Sequence, residues 1–336
     1  MLPLIASFLG LAAVVATAGV ILARSADRIA VATGLGRLLV GSVLLAAATS
    51  LPELTVDISA VRAGMPDLAT GDLLGSSLMN LLILAGIDLA QRSGHRMLSR
   101  EAASHALSAT LAIALTGLVA LAVLTAGRLP PVTFLGIGGW SWAILVAWLL
   151  GARMLFIDQR ISARVAAEAA TESGAEPAAK PVLAGPALTF AVAAAVLVVA
   201  GPRLAAVADE LARETGLGRT FVGTTLVALT TSLPELVASI AAVRMGALDL
   251  AIGNTFGSNA FNMVLFVPLD ACHPGPLFAD VNPAHAVTAL AVIVATATAV
   301  LGQLYHEERR LPILEPDAVL VVLAVVGALA LVYRLS

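Results

Sequence analysis

Cysteine occurs once in the 336 residues, as Cys272. The chain can therefore close no internal disulfide and holds no cysteine-rich metal site. Histidine is scarce at 5 residues, and aromatic residues make up 4%. Charge is short as well. Asp, Glu, Lys and Arg together reach 12%, where soluble domains carry about 25%. The net charge is −3, so no basic face is available to meet phosphate. These shortages exclude a soluble enzyme, a disordered chain and a nucleic-acid binder as first readings. Apolar residues fill the space, at 59% of the chain, with a mean hydropathy of +0.97. The 28 glycines and 16 prolines suit helices that pack closely in lipid.

A membrane helix needs roughly 20 predominantly apolar residues. Ten stretches meet this length, near 2–23, 38–61, 68–90, 102–126, 130–152, 182–208, 220–243, 250–269, 284–304 and 316–333. They are apolar on every face, which favours helices over the alternating strands of a barrel. The first lacks a basic leader and a cleavage site, so it reads as a retained helix. One polar stretch, 157–181, reads as a solvated linker between a first half, 1–156, and a second half, 182–336, of five spans each. Most of the 19 lysines and arginines fall on the linker side of the membrane. The positive-inside rule then predicts a cytoplasmic linker and both termini outside.

The two halves repeat one another. Residues 41–80 align without a gap on 223–262, offset by 182, and 21 of the 40 positions are identical. Thr49-Ser50-Leu51-Pro52-Glu53-Leu54 matches Thr231-Ser232-Leu233-Pro234-Glu235-Leu236. Gly71, Gly75, Ser76 and Asn80 match Gly253, Gly257, Ser258 and Asn262. Chance apolar bias does not align Pro, Glu, Ser and Asn in register. An odd number of spans separates corresponding points, so the copies cross in opposite directions. This inverted plan places transport sites at the midplane.

The matched residues carry the chemistry. Glu53 and Glu235 fall in mid-span, with no Lys or Arg in the same span except at its end. A charge there costs about 2.5–3.5 kcal/mol on insertion scales, so it is retained for function. Pro52 and Pro234 predict a kink or unwound segment that frees backbone carbonyls at Ala46–Pro52 and Ala228–Pro234. Thr49, Ser50, Thr231 and Ser232 add hydroxyls. Ser76 and Asn80 share one helix face, as do Ser258 and Asn262. The glycines at spacing four permit close backbone approach. All of these ligands are hard oxygens, which suit Ca²⁺ and not soft transition metals. Two carboxylates match one Ca²⁺ in charge. Emptied of calcium, such a cage would hold Na⁺ or protons. Asp57 is either a charge at the site entrance or a solvated acid near the span end. Asp72 is a ligand, a proton acceptor or a vestibule charge. Asp67 and Asp249 are expected to cap the helices that follow them.

On the paired Thr-Ser-Leu-Pro-Glu and Gly-x₃-Gly-Ser motifs, the sequence resembles the sodium/calcium exchanger family of the cation/calcium antiporter superfamily. The close match covers about 80 of the 336 residues. The resemblance implies an all-α membrane fold of ten helices as two inverted five-helix repeats. It implies a central calcium site flanked by sodium sites between the repeats. Glu53 and Glu235 would be the main calcium ligands and share sodium, with backbone oxygens of Thr49 and Thr231 on calcium. Ser50, Ser76, Ser232 and Ser258 would complete sodium sites with the Ala46 and Ala228 carbonyls, and Asn80 and Asn262 would line the centre. The first and sixth spans would slide across the other eight. Asn at both 80 and 262 argues against potassium dependence. Asp57 and Asp72 are departures that leave the coupling ion open between Na⁺ and H⁺. The expectation is Na⁺/Ca²⁺ antiport in the cytoplasmic membrane, with no enzymatic activity, cofactor or obligatory protein partner. Ca²⁺/H⁺ antiport is the alternative, and a passive cation channel is the distant one.

Overall fold

The computed structural model describes residues 2–90, 103–130, 132–172, 182–214, 229–304 and 316–335. Its helices are α1 (Leu2–Thr33), α2 (Arg37–Thr49), α3 (Leu51–Arg62), α4 (Pro66–Ala90), α5 (Ala103–Thr125), α6 (Gly139–Glu172), α7 (Ala184–Glu214), α8 (Leu233–Arg244), α9 (Leu248–Cys272), α10 (His285–Leu304) and α11 (Pro316–Leu335). Among the described residues, 7 helices are long and apolar enough to cross a membrane. The number becomes 8 if α2 and α3, bent by 43° at their junction, count as one broken span.

Each expected stretch meets a helix, with several differences at the ends. The first helix runs on to Thr33 and the sixth stretch to Glu214. The fifth starts only at Gly139. Residues 133–138 instead form a two-stranded hairpin, β1 (Thr133–Phe134) against β2 (Ile137–Gly138). Leu135 and Gly136 turn it with φ of 53° and 79°. Glycine tolerates that conformation, and a helix cannot hold it. The linker expected at 157–181 is helical as far as Glu172. Its alanines, glutamates and arginines are strong helix formers, so polarity alone does not end the helix there. Residues 173–181, and the 220–228 portion of the seventh stretch, lie outside the described residues.

The packing inverts that of a soluble protein. Leu149, Leu150, Leu188, Val294, Leu301 and Leu323 project outward, as lipid-facing side chains do. Ser, Thr, Asn, Asp and Glu side chains are buried in the centre. Helix α9 is the axis, buried along most of its length and packed against α2, α3, α4, α5, α6 and α8. Helices α1 and α7 lie along one another. Helix α1 also packs on α8, and α7 on α3.

The helices repeat with the sequence. Helices α3 and α8 each hold 12 residues, and α4 and α9 each hold 25. Gly64 and Gly246 turn between them with φ of 75° and 72°. Gly19 on α1 and Gly201 on α7, also 182 residues apart, lie against the two proline breaks. A Cβ on Gly19 would come 3.5 Å from the Pro234 carbonyl oxygen, and one on Gly201 would come 2.5 Å from Pro52 Cβ.

Candidate cation site

The two Ser-Leu-Pro-Glu segments are helix restarts. Ser50 and Ser232 sit at φ, ψ of −85°, −1° and −85°, 4°. Pro52 and Pro234 occupy the opening positions of α3 and α8, where a helix needs no N–H and proline is well tolerated. Glu53 and Glu235 consequently lie in the first turn of their helices. The partial positive charge of a helix N-terminus there favours a carboxylate. Ahead of the first break, Val40–Leu45 is wound as a π-helix. That segment lies backbone to backbone on α9. A Cβ on Gly253 would come 2.7 Å from the Leu38 carbonyl oxygen, and one on Gly257 would come 2.4 Å from Ser42 Cα. The close approach expected of the glycines is realised at Gly253 and Gly257. At Gly71 the nearest atom is a His285 ring carbon at 3.4 Å, and Gly75 meets nothing within 4 Å.

Glu53 is fully buried and Glu235 is 2% exposed. The Ser50 and Ser76 hydroxyls stand beside Glu53, and Thr49 and Ser50 stand beside Glu235. Ser50 thus lies between the two carboxylates. Turned so that its amide nitrogen meets acceptors, Asn262 donates to Ser50 Oγ at 3.0 Å and Glu53 Oε2 at 3.2 Å. Ser232 Oγ donates to Ser76 Oγ at 3.4 Å. Thr49 Oγ1 approaches Ser258 Oγ and Asn254 Oδ1, both at 3.5 Å. Asn80 Nδ2 donates to Asn259 Oδ1 at 3.0 Å, and Asn259 Nδ2 donates to the Ser77 carbonyl at 3.1 Å. These contacts join Thr49, Ser50, Glu53, Ser76, Ser232, Glu235, Ser258 and Asn262 in one cluster, and Asn80 pairs with Asn259. Thr231 is buried beside Asp72. Ala228 lies outside the described residues.

The Ala46 carbonyl departs from expectation. The break does not free it, since it accepts the Ser50 N–H at 3.1 Å and the Thr49 hydroxyl at 3.2 Å. Proline has no effect on that carbonyl because Pro52 lies six residues on. Asp57 is 1% exposed, which rules out the solvated-acid reading. Asp72 stands beside it.

Asp67 and Asp249 do not cap their helices through their side chains. Asp67 Oδ1 accepts the Asn282 N–H at 2.7 Å and lies 3.3 Å from His285 Nε2. Asp249 Oδ1 lies 3.0 Å from His105 Nε2. Each first-turn acid thus meets a histidine in the first turn of a neighbouring helix. Sequence reasoning passed over Asp270. It is fully buried, and it accepts from Gly138 N–H at 2.9 Å, Ser141 Oγ at 2.5 Å and Leu277 N–H at 2.8 Å. Its identity with Asp88 at the same offset of 182 was the available signal.

Several buried oxygens of these residues have no hydrogen-bond partner: Glu53 Oε1, both Glu235 oxygens, Asp57 Oδ2, Asp72 Oδ2 and Asn80 Oδ1. Among the described residues no basic side chain forms an ion pair with these acids. Buried polar groups are normally paired, and an uncompensated buried charge is costly. Buried acceptor oxygens left without a partner are suited to a cation. Among the described residues no three His, Cys, Asp or Glu side chains form a metal cluster. The oxygen set must therefore be mixed, with hydroxyl, amide and carbonyl oxygens beside the carboxylates.

Known proteins resemble this chain in sequence and in fold. A family model described as sodium/calcium exchanger protein matches residues 3–156 and 185–333. The inner membrane protein YrbG of Escherichia coli is 31% identical over 256 residues, covering 74% of this chain and 75% of its own length. The sodium/calcium exchanger MaX1 of Methanosarcina acetivorans is 50% identical over 54 residues, 16% of this chain and 15% of that one. The solved structure of the sodium–calcium exchanger NCX_Mj soaked with 10 mM Na⁺ and zero Ca²⁺ superposes with a TM-score of 0.69 at 17% identity. That superposition covers 98% of this chain and 99% of that one, and it establishes the fold.

Proposed function

Because the chain belongs to the sodium/calcium exchanger protein family, whose members are cation/calcium antiporters, we propose that it expels Ca²⁺ from the cytoplasm in exchange for inward Na⁺, by alternating access. The observation that carries this reading is the pair Glu53 and Glu235, buried in one cluster, with partnerless oxygens and, among the described residues, no ion pair to a basic side chain. Glu53 and Glu235 hold Ca²⁺ together with backbone oxygens of Thr49 and Thr231. Ser50, Ser76, Ser232 and Ser258 hold Na⁺ with the carbonyls of Ala46 and Ala228. Asn80 and Asn262 line the centre. At Ala46 the ion displaces the Thr49 hydroxyl from the carbonyl, a local exchange of one partner for another.

The coupling follows from electrostatics. Two carboxylates without countercharge are expensive to carry through a low-dielectric barrier. The protein therefore reorients readily when Ca²⁺ or Na⁺ neutralises the pair and poorly when the site is bare. That rule gives exchange in place of leak. Reorientation is assigned to α1 and α7, which lie along one another and cross the two breaks at Gly19 and Gly201. Ten spans in two inverted halves, 1–156 and 182–336, with a cytoplasmic linker at 157–181 and both termini outside, complete the scheme. The cytoplasmic membrane is its place. Ca²⁺/H⁺ exchange is the second reading, favoured by the additional acids Asp57 and Asp72.

The test is reconstitution in liposomes. An outward Na⁺ gradient should drive Ca²⁺ uptake, potassium-loaded vesicles should not, and Glu53→Gln or Glu235→Gln should reduce uptake at least tenfold while the protein still inserts. Uptake driven only by a pH gradient would move the coupling to protons. Calcium flux without any counter-ion would make the protein a channel.

A further inference from the structure

Within the aligned repeat the two halves differ in charge at one pair of facing positions. In the second half, Ser239 on α8 and Asn254 on α9 satisfy one another, with Asn254 Nδ2 donating to Ser239 Oγ at 3.3 Å. Subtracting 182 gives Asp57 on α3 and Asp72 on α4, which also stand beside one another. Geometry repeats while chemistry does not. An ionised carboxylate only accepts hydrogen bonds, so two of them cannot satisfy each other as Ser and Asn do.

Their surroundings supply little help. Asp57 is 1% exposed, and Asp57 Oδ2 and Asp72 Oδ2 have no hydrogen-bond partner. The Thr231 hydroxyl stands beside Asp72. Among the described residues no Lys, Arg or His pairs with either acid. Asp57 lies four residues after Glu53 on the same helix, one turn along the same face. The cluster as a whole thus carries four carboxylates, and one Ca²⁺ at Glu53 and Glu235 balances only two of them.

We propose that Asp57 and Asp72, with the Thr231 hydroxyl, form a second cation site that holds a partly hydrated Ca²⁺ one helical turn from Glu53. Two carboxylates match the charge of a divalent ion. Hard oxygen ligands and a shell completed by water suit calcium, which accepts 6–8 oxygens in flexible geometry. The acid pair belongs to the first half alone, since its counterparts Ser239 and Asn254 carry no charge. It rests on the antiport reading for its place next to the central site, though its occupancy is measurable without transport.

The experiment counts bound ions on the purified full chain. Equilibrium dialysis with radioactive Ca²⁺ in sodium-free buffer should give two Ca²⁺ per protein. Asp57→Ser combined with Asp72→Asn copies the pair that the second half already accommodates, and should give one. Glu53→Gln combined with Glu235→Gln should also give one, and all four substitutions none. Should the Ser/Asn variant fail to fold, Asp57→Asn and Asp72→Asn singly should each weaken one of the two binding events at least tenfold. Equal stoichiometry and affinity in wild type and in the Asp variants would overturn the proposal, leaving a shared proton as the link between the two acids. Unchanged binding in the Glu variant, with the second ion lost in the Asp variant, would instead sink the central site and leave this one standing.

Discussion

Gly257 is where the packing of the site is most sensitive. A methyl group added there would lie 2.4 Å from Ser42 Cα and carbonyl oxygen and 2.6 Å from its carbonyl carbon. Carbon atoms rest about 3.5–4.0 Å apart, so α2 and α9 must separate by about 1 Å. The obstructing atoms are backbone and cannot swing aside. Overpacking of this kind costs about 1–3 kcal/mol, and such a penalty depopulates one of two conformations about 5–150-fold. The Thr49 contacts to Asn254 and Ser258 are already 3.5 Å long and would be lost. Gly257→Ala should therefore lower the melting temperature in detergent by several degrees and cut sodium-driven calcium uptake at least fivefold. Gly75→Ala is the matched control, because nothing lies within 4 Å of the added carbon. Should both variants melt and transport as wild type does, close contact between α2 and α9 is not what holds the site in shape.

Two further substitutions test neighbouring parts of the argument. Asp270→Ala strands the Gly138 and Leu277 N–H groups and the Ser141 hydroxyl, at about 1–3 kcal/mol for each unsatisfied buried group. It should abolish monodisperse protein in size-exclusion chromatography, while Asp270→Asn, which keeps one acceptor oxygen, should lose less. Gly201→Ala places a carbon 2.5 Å from Pro52 Cβ, next to Glu53, and should slow calcium uptake several-fold, whereas Gly185→Ala, with nothing within 4 Å, should leave it unchanged.

Much of the site was legible because the repeat is gapless and its matched residues are polar. An offset of 182 pairs Glu53 with Glu235 and Ser50 with Ser232 before any coordinates are known. The helix restart at Leu51 is also local, since proline is at home in the first turn. Other features depend on contacts that spacing does not encode. The donors to Asp270 come from Gly138, Ser141 and Leu277, which no periodicity links to it. The fate of the Ala46 carbonyl depends on a Thr49 rotamer. Leu129, Val132, Phe134 and Leu135 extend an apolar run, yet the backbone at Leu135 and Gly136 makes it a hairpin. The polar stretch after Ile157 stays helical because Ala, Glu and Arg favour a helix even where they favour water.

Symmetry and its breaking divide the labour in this molecule. Glu53 and Glu235, Ser50 and Ser232, and Ser76 and Ser258 repeat between the halves, and the proposed transport by inverted halves needs that equivalence. A site presented to either side of the membrane must offer the same ligands when the halves exchange roles. Departures from the repeat fall just outside this set. Ser77 opposite Asn259 gives one half an amide that reaches across to the other half's Asn80 and Ser77. Asp57 and Asp72 opposite Ser239 and Asn254 load one half with negative charge. Coulomb attraction in a medium of effective dielectric near 20 is several times stronger than in water. A cation entering beside α3 and α4 therefore meets a stronger pull than one entering beside α8 and α9. Under the proposed exchange, identical central ligands with unequal approaches would let the two faces bind the same ions at different rates, while the ion gradients set the net direction.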